Sequence, residues 1–208
     1  GTERQNDRNV NQQSASATIN RAEQTFLEIN SIIPGEGAII KRGTALVSVE
    51  LEATTSNGAE NGKAVCSYSI QGAEAGLMFE TDNTIHKQQL NQLTAGTYSI
   101  TINCIDSVGN TAQKTTNFKI EIDTTSPEIT RIYDDFGTLV VITNENAECI
   151  FKTEGSCAFQ VDEGILMSGT GIVHSADFDR DKTHYIKCKD EFDNEQSSCE
   201  IVKGGAIQ

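Results

Sequence analysis

Two stretches of the chain are near copies of each other: Tyr98-Ser-Ile-Thr-Ile-Asn-Cys104-Ile-Asp106-Ser-Val-Gly-Asn110 and Tyr185-Ile-Lys-Cys188-Lys-Asp190-Glu-Phe-Asp-Asn194. Each alternates apolar and polar residues and ends in a Cys-x-Asp turn closed by Asn, the pattern of a strand running into a tight turn. Each is also preceded by a cysteine at nearly the same distance. Cys66 lies 38 residues before Cys104, and Cys149 lies 39 before Cys188. A repeat of this kind restricts the chain to two similar units in tandem.

At 208 residues the chain has room for two such units, with residues 1–24 as an N-terminal arm, 25–124 as the first unit and 125–203 as the second. A hydrophobic fraction of 37% supports two modest cores and excludes a disordered chain. The strand pattern recurs throughout. In Thr44–Thr54, Val47, Val49, Leu51 and Ala53 share one face, and Ser48, Glu50 and Glu52 the other. Further strands are predicted at Thr25–Ile33, Gly37–Lys41, Ala64–Ile70, Thr84–Leu93, Thr97–Ile105 and Asn117–Ile122, with a short edge at Leu77–Glu80. Asp123-Thr-Thr-Ser-Pro127 makes a stiff junction, because proline restricts both itself and the residue before it. The second unit is predicted to hold strands at Ile129–Tyr133, Thr138–Thr143, Ala147–Lys152, Cys157–Val161, Thr170–Ser175, Lys182–Asp190 and Ser198–Val202. Short strands with turns roughly every 8–12 residues mark an all-β fold of two Greek-key β-sandwiches.

Six cysteines without any Cys-x-x-Cys favour disulfides and an oxidising compartment. In each unit one cysteine falls on the third strand and one on the penultimate strand, which are neighbours in a seven-strand Greek key. Cys66–Cys104 and Cys149–Cys188 are therefore the expected bridges, each contributing about 4 kcal/mol by loop closure. Cys157 and Cys199 remain and are expected to pair. Metal ligation is the alternative for these cysteines, but they have no histidine companions.

Gly96-Thr-Tyr98-x-Ile-x-Ile-x-Cys104-x-Asp106-x-x-Gly109-Asn110, followed by Phe118-x-Ile-x-Ile and the Asp-x-x-x-Pro junction, resembles the bacterial and archaeal Ig-like domains of cell-surface proteins. The likeness covers residues 26–202. It departs from the antibody pattern in having no tryptophan and in placing the cysteine on the third strand. The resemblance implies stalks, adhesins, surface-layer pieces or filament subunits rather than catalysts.

Net charge is −14 and unevenly spread: residues 1–25 are neutral, 26–126 carry −5, 127–202 carry −10 and Lys203 adds +1. Such a surface repels phosphate backbones and anionic headgroups, so neither nucleic acid nor a membrane surface is expected as a partner. No stretch reaches the roughly 18 apolar residues of a membrane span. The polar N-terminus is not a signal peptide, and the chain reads as a mature or trimmed one whose export signal or anchor lies elsewhere.

Asp177-Phe-Asp179-Arg-Asp181 spaces three carboxylates as a Ca²⁺ loop does, but it lacks the glycine and the bidentate glutamate of such loops and reads as an acidic turn. Asp106 with Asn110, and Asp190 with Asn194, offer paired Ca²⁺ ligands as an alternative but read as side chains capping their own turns. His86, His174 and His184 are scattered; His184 shares the inward register of Ile186 and Cys188. Gly-x-Ser-x-Gly and His-Glu-x-x-His are absent, so no catalytic residue and no cofactor is assigned. In the arm, Ala15, Ala17 and Ile19 alternate with polar residues as a weak strand does, with a helix over Ala15–Glu28 as the competing reading. An extended arm can pair with an open sheet edge of a neighbouring copy and so build a filament; a linker from a lost anchor is the other reading. The sequence thus points to a non-enzymatic, extracellular, cell-surface filament (pilus-like) or surface-layer subunit. Its partners are then other copies of itself or cell-surface components. The alternative is an adhesin or carbohydrate-binding ectodomain, for which aromatic residues are few: no Trp and 4 Tyr.

Overall fold

The computed structural model describes residues 26–78, 80–81 and 83–204. The first unit comprises β1 (Glu28–Ile33), β2 (Ala38–Arg42), β3 (Val47–Ser56), β4 (Ala64–Ile70), β5 (Ala73–Leu77), β6 (Glu80–Thr81), β7 (Ile85–Leu93), β8 (Gly96–Asp106) and β9 (Thr111–Ile122). They form two sheets, ordered β1-β3-β7-β6 and β2-β9-β8-β4-β5. The second unit comprises β10 (Ile129–Asp135), β11 (Thr138–Thr143), β12 (Glu148–Lys152), β13 (Ile165–Leu166), β14 (Val173–Asp177), β15 (Thr183–Lys189) and β16 (Glu200–Lys203), in sheets β10-β11-β14 and β13-β12-β15-β16. These are two Ig-like β-sandwiches in tandem. No helix of the described residues is long and apolar enough to cross a membrane.

Alternation places the cores. Val47, Val49, Leu51 and Ala53 on β3 turn inward and meet Ile100, Ile102, Phe118 and Ile120 from the facing sheet. Tyr98 stacks on Phe118 with centroids 5.6 Å apart. Each buried Ile or Phe contributes roughly 1.5–3 kcal/mol. In the second unit Leu139, Val141, Phe151, Met167, Phe178, Ile186 and Val202 do the same work.

All six cysteines are bonded: Cys66–Cys104, Cys149–Cys188 and Cys157–Cys199. The first two join directly opposed residues, on β4 and β8 and on β12 and β15. Cys66 lies on the fourth strand of its unit and only Cys149 on the third, because the opening strand of the first unit is split. Pro34 has no N–H to continue a ladder, and the chain crosses there from β1, paired with β3, to β2, which runs parallel to β9.

Three strand expectations are corrected. Leu77–Glu80 is not one edge strand: Leu77 ends β5 in one sheet and Glu80 begins β6 in the other. β9 starts at Thr111, six residues earlier than the apolar run at Asn117, because the turn at Asp106–Asn110 lets the β8–β9 ladder close at once, with Ile105 opposite Thr111. The stretch Cys157–Val161 is not a strand. It leads into a 3-10 turn over Val161–Glu163 and folds as a flap over the outer side of the β12–β15 sheet. The flap buries Phe159 and Lys187, whose Nζ donates to the Phe159 carbonyl at 2.8 Å and pairs with Glu195 at 3.3 Å. Lys152 and Lys187 both lie over the Phe159 ring at 5.4 Å. Residues 150 and 151 of β12, and 186 and 187 of β15, are therefore buried on both faces of the sheet.

Candidate functional site

The duplicated turn is the best-defined polar arrangement in each unit. Asp106 Oδ1 accepts from the N–H of Val108 (3.1 Å) and of Asn110 (2.8 Å). Its Oδ2 accepts from Asn110 Nδ2 (2.7 Å) and from the Ala59 N–H (2.8 Å). Burial pushes the carboxyl up, but these donors, Ala59 foremost, overcome it and lower the pKa to about 2. In the second unit Asp190 Oδ1 accepts from the N–H of Phe192 and Asn194, and Oδ2 from Asn194 Nδ2, all at 2.8 Å. Both aspartates cap their own turns.

In the second unit this turn also seats the first. Asn194 Nδ2 donates to the Asp123 carbonyl at 2.9 Å, and Ser126 Oγ donates to the Glu195 carbonyl at 3.1 Å. Lys41 pairs with Glu191 at 2.6 Å and lies 5.5 Å from the centre of the Phe192 ring. Gly43 allows the close approach: a Cβ there would overlap the Asn194 side chain and come within 3.1 Å of the Phe192 carbonyl. Asp123, Glu145 and Asp190 gather at the same place, with carboxylate oxygens within 4.8 Å of one another. Burial, then the charges of Asp123 and Asp190, hold the Glu145 carboxyl above its usual range. Asp190 is committed to its turn and Asp123 to the N–H of Thr125 at 2.9 Å.

The equivalent turn of the first unit stands at the opposite end. Val108, two residues past Asp106 as Phe192 is past Asp190, is 72% exposed. The chain enters the unit beside it: a Cβ on Gly58 would touch both Asp106 Oδ2 (2.7 Å) and Leu27 (3.1 Å). From this turn an uncharged strip runs across the outer face of the β2-β9-β8-β4-β5 sheet. Val65, Ile105 and Leu77 are about half to two-thirds exposed there, with Ser67, Asn103, Thr111 and Gln113 between them, around an open groove of ≈ 480 Å³. The strip ends at β5, which among the described residues pairs on one side only, with β4.

The other sequence-predicted residues do not converge. Asp179 caps the N–H of Asp181 at 3.0 Å and pairs with Lys182 at 3.4 Å. Asp177 ends β14, and among the described residues the carboxylates that gather are not Asp177, Asp179 and Asp181. The three histidines lie on β7, β14 and β15. Ala15, Ala17 and Ile19 lie outside the described residues. Sequence reasoning missed the part that Asp123 and Glu145 play beside Asp190, the flap, and the strip, although Val65 and Ile105 are apolar residues at outward-facing positions.

No protein-family model and no curated protein matches the chain. Among solved structures it is similar to the fibronectin(III)-like modules of Clostridium thermocellum CbhA, at 12% identity and a TM-score of 0.49, covering 85% of this chain and 91% of that one. It is also similar to the N-terminal Ig1-2 module of the Drosophila receptor protein tyrosine phosphatase DLAR, at 11% identity and a TM-score of 0.36, covering 85% and 97%. A Ca²⁺-stabilized adhesin of an Antarctic bacterium matches at 13% identity and a TM-score of 0.37, covering 86% of this chain and 48% of that one.

Proposed function

We propose that the protein is a non-enzymatic, extracellular structural subunit of a cell-surface filament or surface layer, joined head to tail through its N-terminal arm. The observation that carries this reading is the duplicated turn. In the second unit it receives the junction of the preceding unit, whereas in the first unit no such segment meets the same turn among the described residues, with Val108 exposed and Leu27 beside it. Phe26 thus stands in the first unit where Ser126 stands in the second, and the arm joins the chain just before it. Three bridges and no free cysteine suit an oxidising exterior. The uncharged strip supports the same reading, since copies carrying −14 repel one another everywhere except over neutral ground. A heterologous contact of this kind propagates without closing.

Deleting residues 1–24 tests the reading by sedimentation and electron microscopy over a range of concentrations. The full chain is expected to assemble and the truncated one to stay monomeric with its fold intact. A full chain that stays monomeric at every concentration overturns it. One observation favours a second reading, as a binding or adhesive ectodomain. Phe136 at the tip of the β10–β11 hairpin is fully exposed on a backbone with φ of +51°, a strained presentation for an aromatic residue. On that reading the deletion leaves the oligomeric state unchanged.

A further inference from the structure

The two units handle their buried histidines differently. Thr55 on β3 donates its N–H to the carbonyl of Thr84, two residues before His86; Thr143 on β11 donates its N–H to the carbonyl of Ile172, two residues before His174, both at 2.9 Å. His86 and His174 therefore occupy the same place in the two sandwiches. Both are 1% exposed. His86 Nε2 lies 3.1 Å from Thr55 Oγ1. In the second unit the Thr143 hydroxyl is turned to the Glu145 carbonyl at 2.6 Å, and among the described residues His174 Nε2 is left without a partner. His184 lies four residues before Cys188, where the first unit has Ile100 four before Cys104. It is fully buried against the rings of Phe151 (5.7 Å) and Phe178 (5.1 Å), and among the described residues neither ring nitrogen has a partner placed with hydrogen-bond geometry, the nearby Lys182 carbonyl included.

We propose that His174 and His184 make the second unit an acid-sensitive switch, which opens as pH falls below about 6 while the first unit stays folded. A buried imidazole with unpaired nitrogens is tolerable only when neutral, because charging it in an apolar core removes its hydration without replacement. The groups facing them do not reverse this. On His184 bear the favourable charge of Asp179, the unfavourable one of Lys182 and the Lys182 backbone carbonyl; its neighbours across the sheet are Val202 on β16 and the β12 side chain Phe151. On His174 bears the Gly171 carbonyl, with Val141 opposite on β11. In both, burial is the dominant effect and lowers the pKa in the folded state.

The sign follows. A histidine whose folded pKa lies below its unfolded value of about 6.5 leaves the unfolded chain holding more protons, so stability is full above that pH and is lost below it. With two protons taken up on opening, the opening constant of residues 129–203 rises up to about 100-fold per pH unit below pH 6, and with one proton about 10-fold.

Amide hydrogen exchange on the full chain between pH 7.5 and 5 reads this unit by unit. The expected result is a steep rise in opening over 129–203 and a much shallower one over 28–122. His184→Ile, which installs the residue of the first unit, reduces the slope to about 10-fold per unit, and adding His174→Leu removes the remainder. Carboxylates common to these chains cancel in the comparison. A slope that is the same in wild type and H184I overturns the proposal. Imidazole proton NMR of the native chain is independent of how the variants fold. Both histidines are expected to titrate in the folded signal below the ordinary imidazole range, and a folded-state midpoint near 6.5 for either refutes the switch.

Discussion

The two bridges of the second unit interlace, and this fixes what each is worth. Cys149–Cys188 and Cys157–Cys199 close loops of 39 and 42 residues taken singly. With either one intact, however, the other closes only the ring made by the 8 residues from Cys149 to Cys157 and the 11 from Cys188 to Cys199. Loop closure over about 20 residues is worth about 3.3 kcal/mol in the chain-entropy model, and it is the same for both bridges. Burial separates them. Cys149 and Cys188 are 0% exposed in the core, so removing them also leaves space for two sulfurs, roughly 1 kcal/mol each. Cys157 and Cys199 are half-buried at the rim of the flap. C149A/C188A is therefore expected to cost the second unit about 5 kcal/mol and C157A/C199A about 3, measured by guanidinium unfolding followed through amide resonances of residues 129–203. Against a typical domain stability of about 5–15 kcal/mol, the first variant leaves the unit at the edge of folding. Equal costs would show that core packing plays no part. A cost below about 1 kcal/mol for C157A/C199A would refute the loop-closure reasoning itself.

Asp106, with its carboxyl held near a pKa of about 2 against about 3.9 in an unfolded chain, stabilises the first unit fully above the unfolded value and loses that contribution as pH falls from about 4 through 2. D106N is expected to be less stable than wild type at pH 7 and to show a flatter acid limb, seen in denaturation midpoints between pH 5 and 2. Gly43→Ala displaces the Asn194 side chain and with it the bond to the Asp123 carbonyl, a loss of about 1–2 kcal/mol confined to the junction. ¹⁵N relaxation is expected to show the two units tumbling more independently in G43A, with the unfolding midpoint of the first unit unchanged.

The fold was readable because alternation is a local signal. Val47 to Ala53, Ile100 and Ile102, and the matched distances between cysteines each state a face or a partner without any other part of the chain. The Asp106 and Asp190 turns were readable for the same reason, since the side chain and its donors lie within four residues. What stayed hidden depends on elements brought together from afar. Asn194 meets Asp123 across 71 residues, and nothing near Asp123 announces it. Lys187 on an alternating strand reads as a solvent-facing charge; a flap anchored 42 residues away from Cys199 buries it. The histidine equivalence did leave a trace. Thr55 and Thr84 are 29 residues apart, and so are Thr143 and Ile172, but the loops around them differ enough to hide the match between the cysteines.

These differences between the two copies have one physical direction. The first unit gathers 17 buried apolar residues into one cluster among those described, and the second only 9. Where the first has Ile100 the second has His184, and where His86 has a hydroxyl for company His174 has none. A core so reduced supplies less hydrophobic stabilisation, and small cores are the ones that need covalent help. The extra bridge and the flap answer that need from outside the core: Cys157–Cys199 restricts the unfolded chain, while Phe159 and the Lys187 stem cover the outer side of β12 and β15. Stability has thus moved from packing, which is insensitive to pH above the carboxylate range, to a bridge that leaves the histidine penalty untouched. The second unit is consequently the one that acid opens first, and its bridges keep the opened chain short enough to close again when the histidines lose their protons.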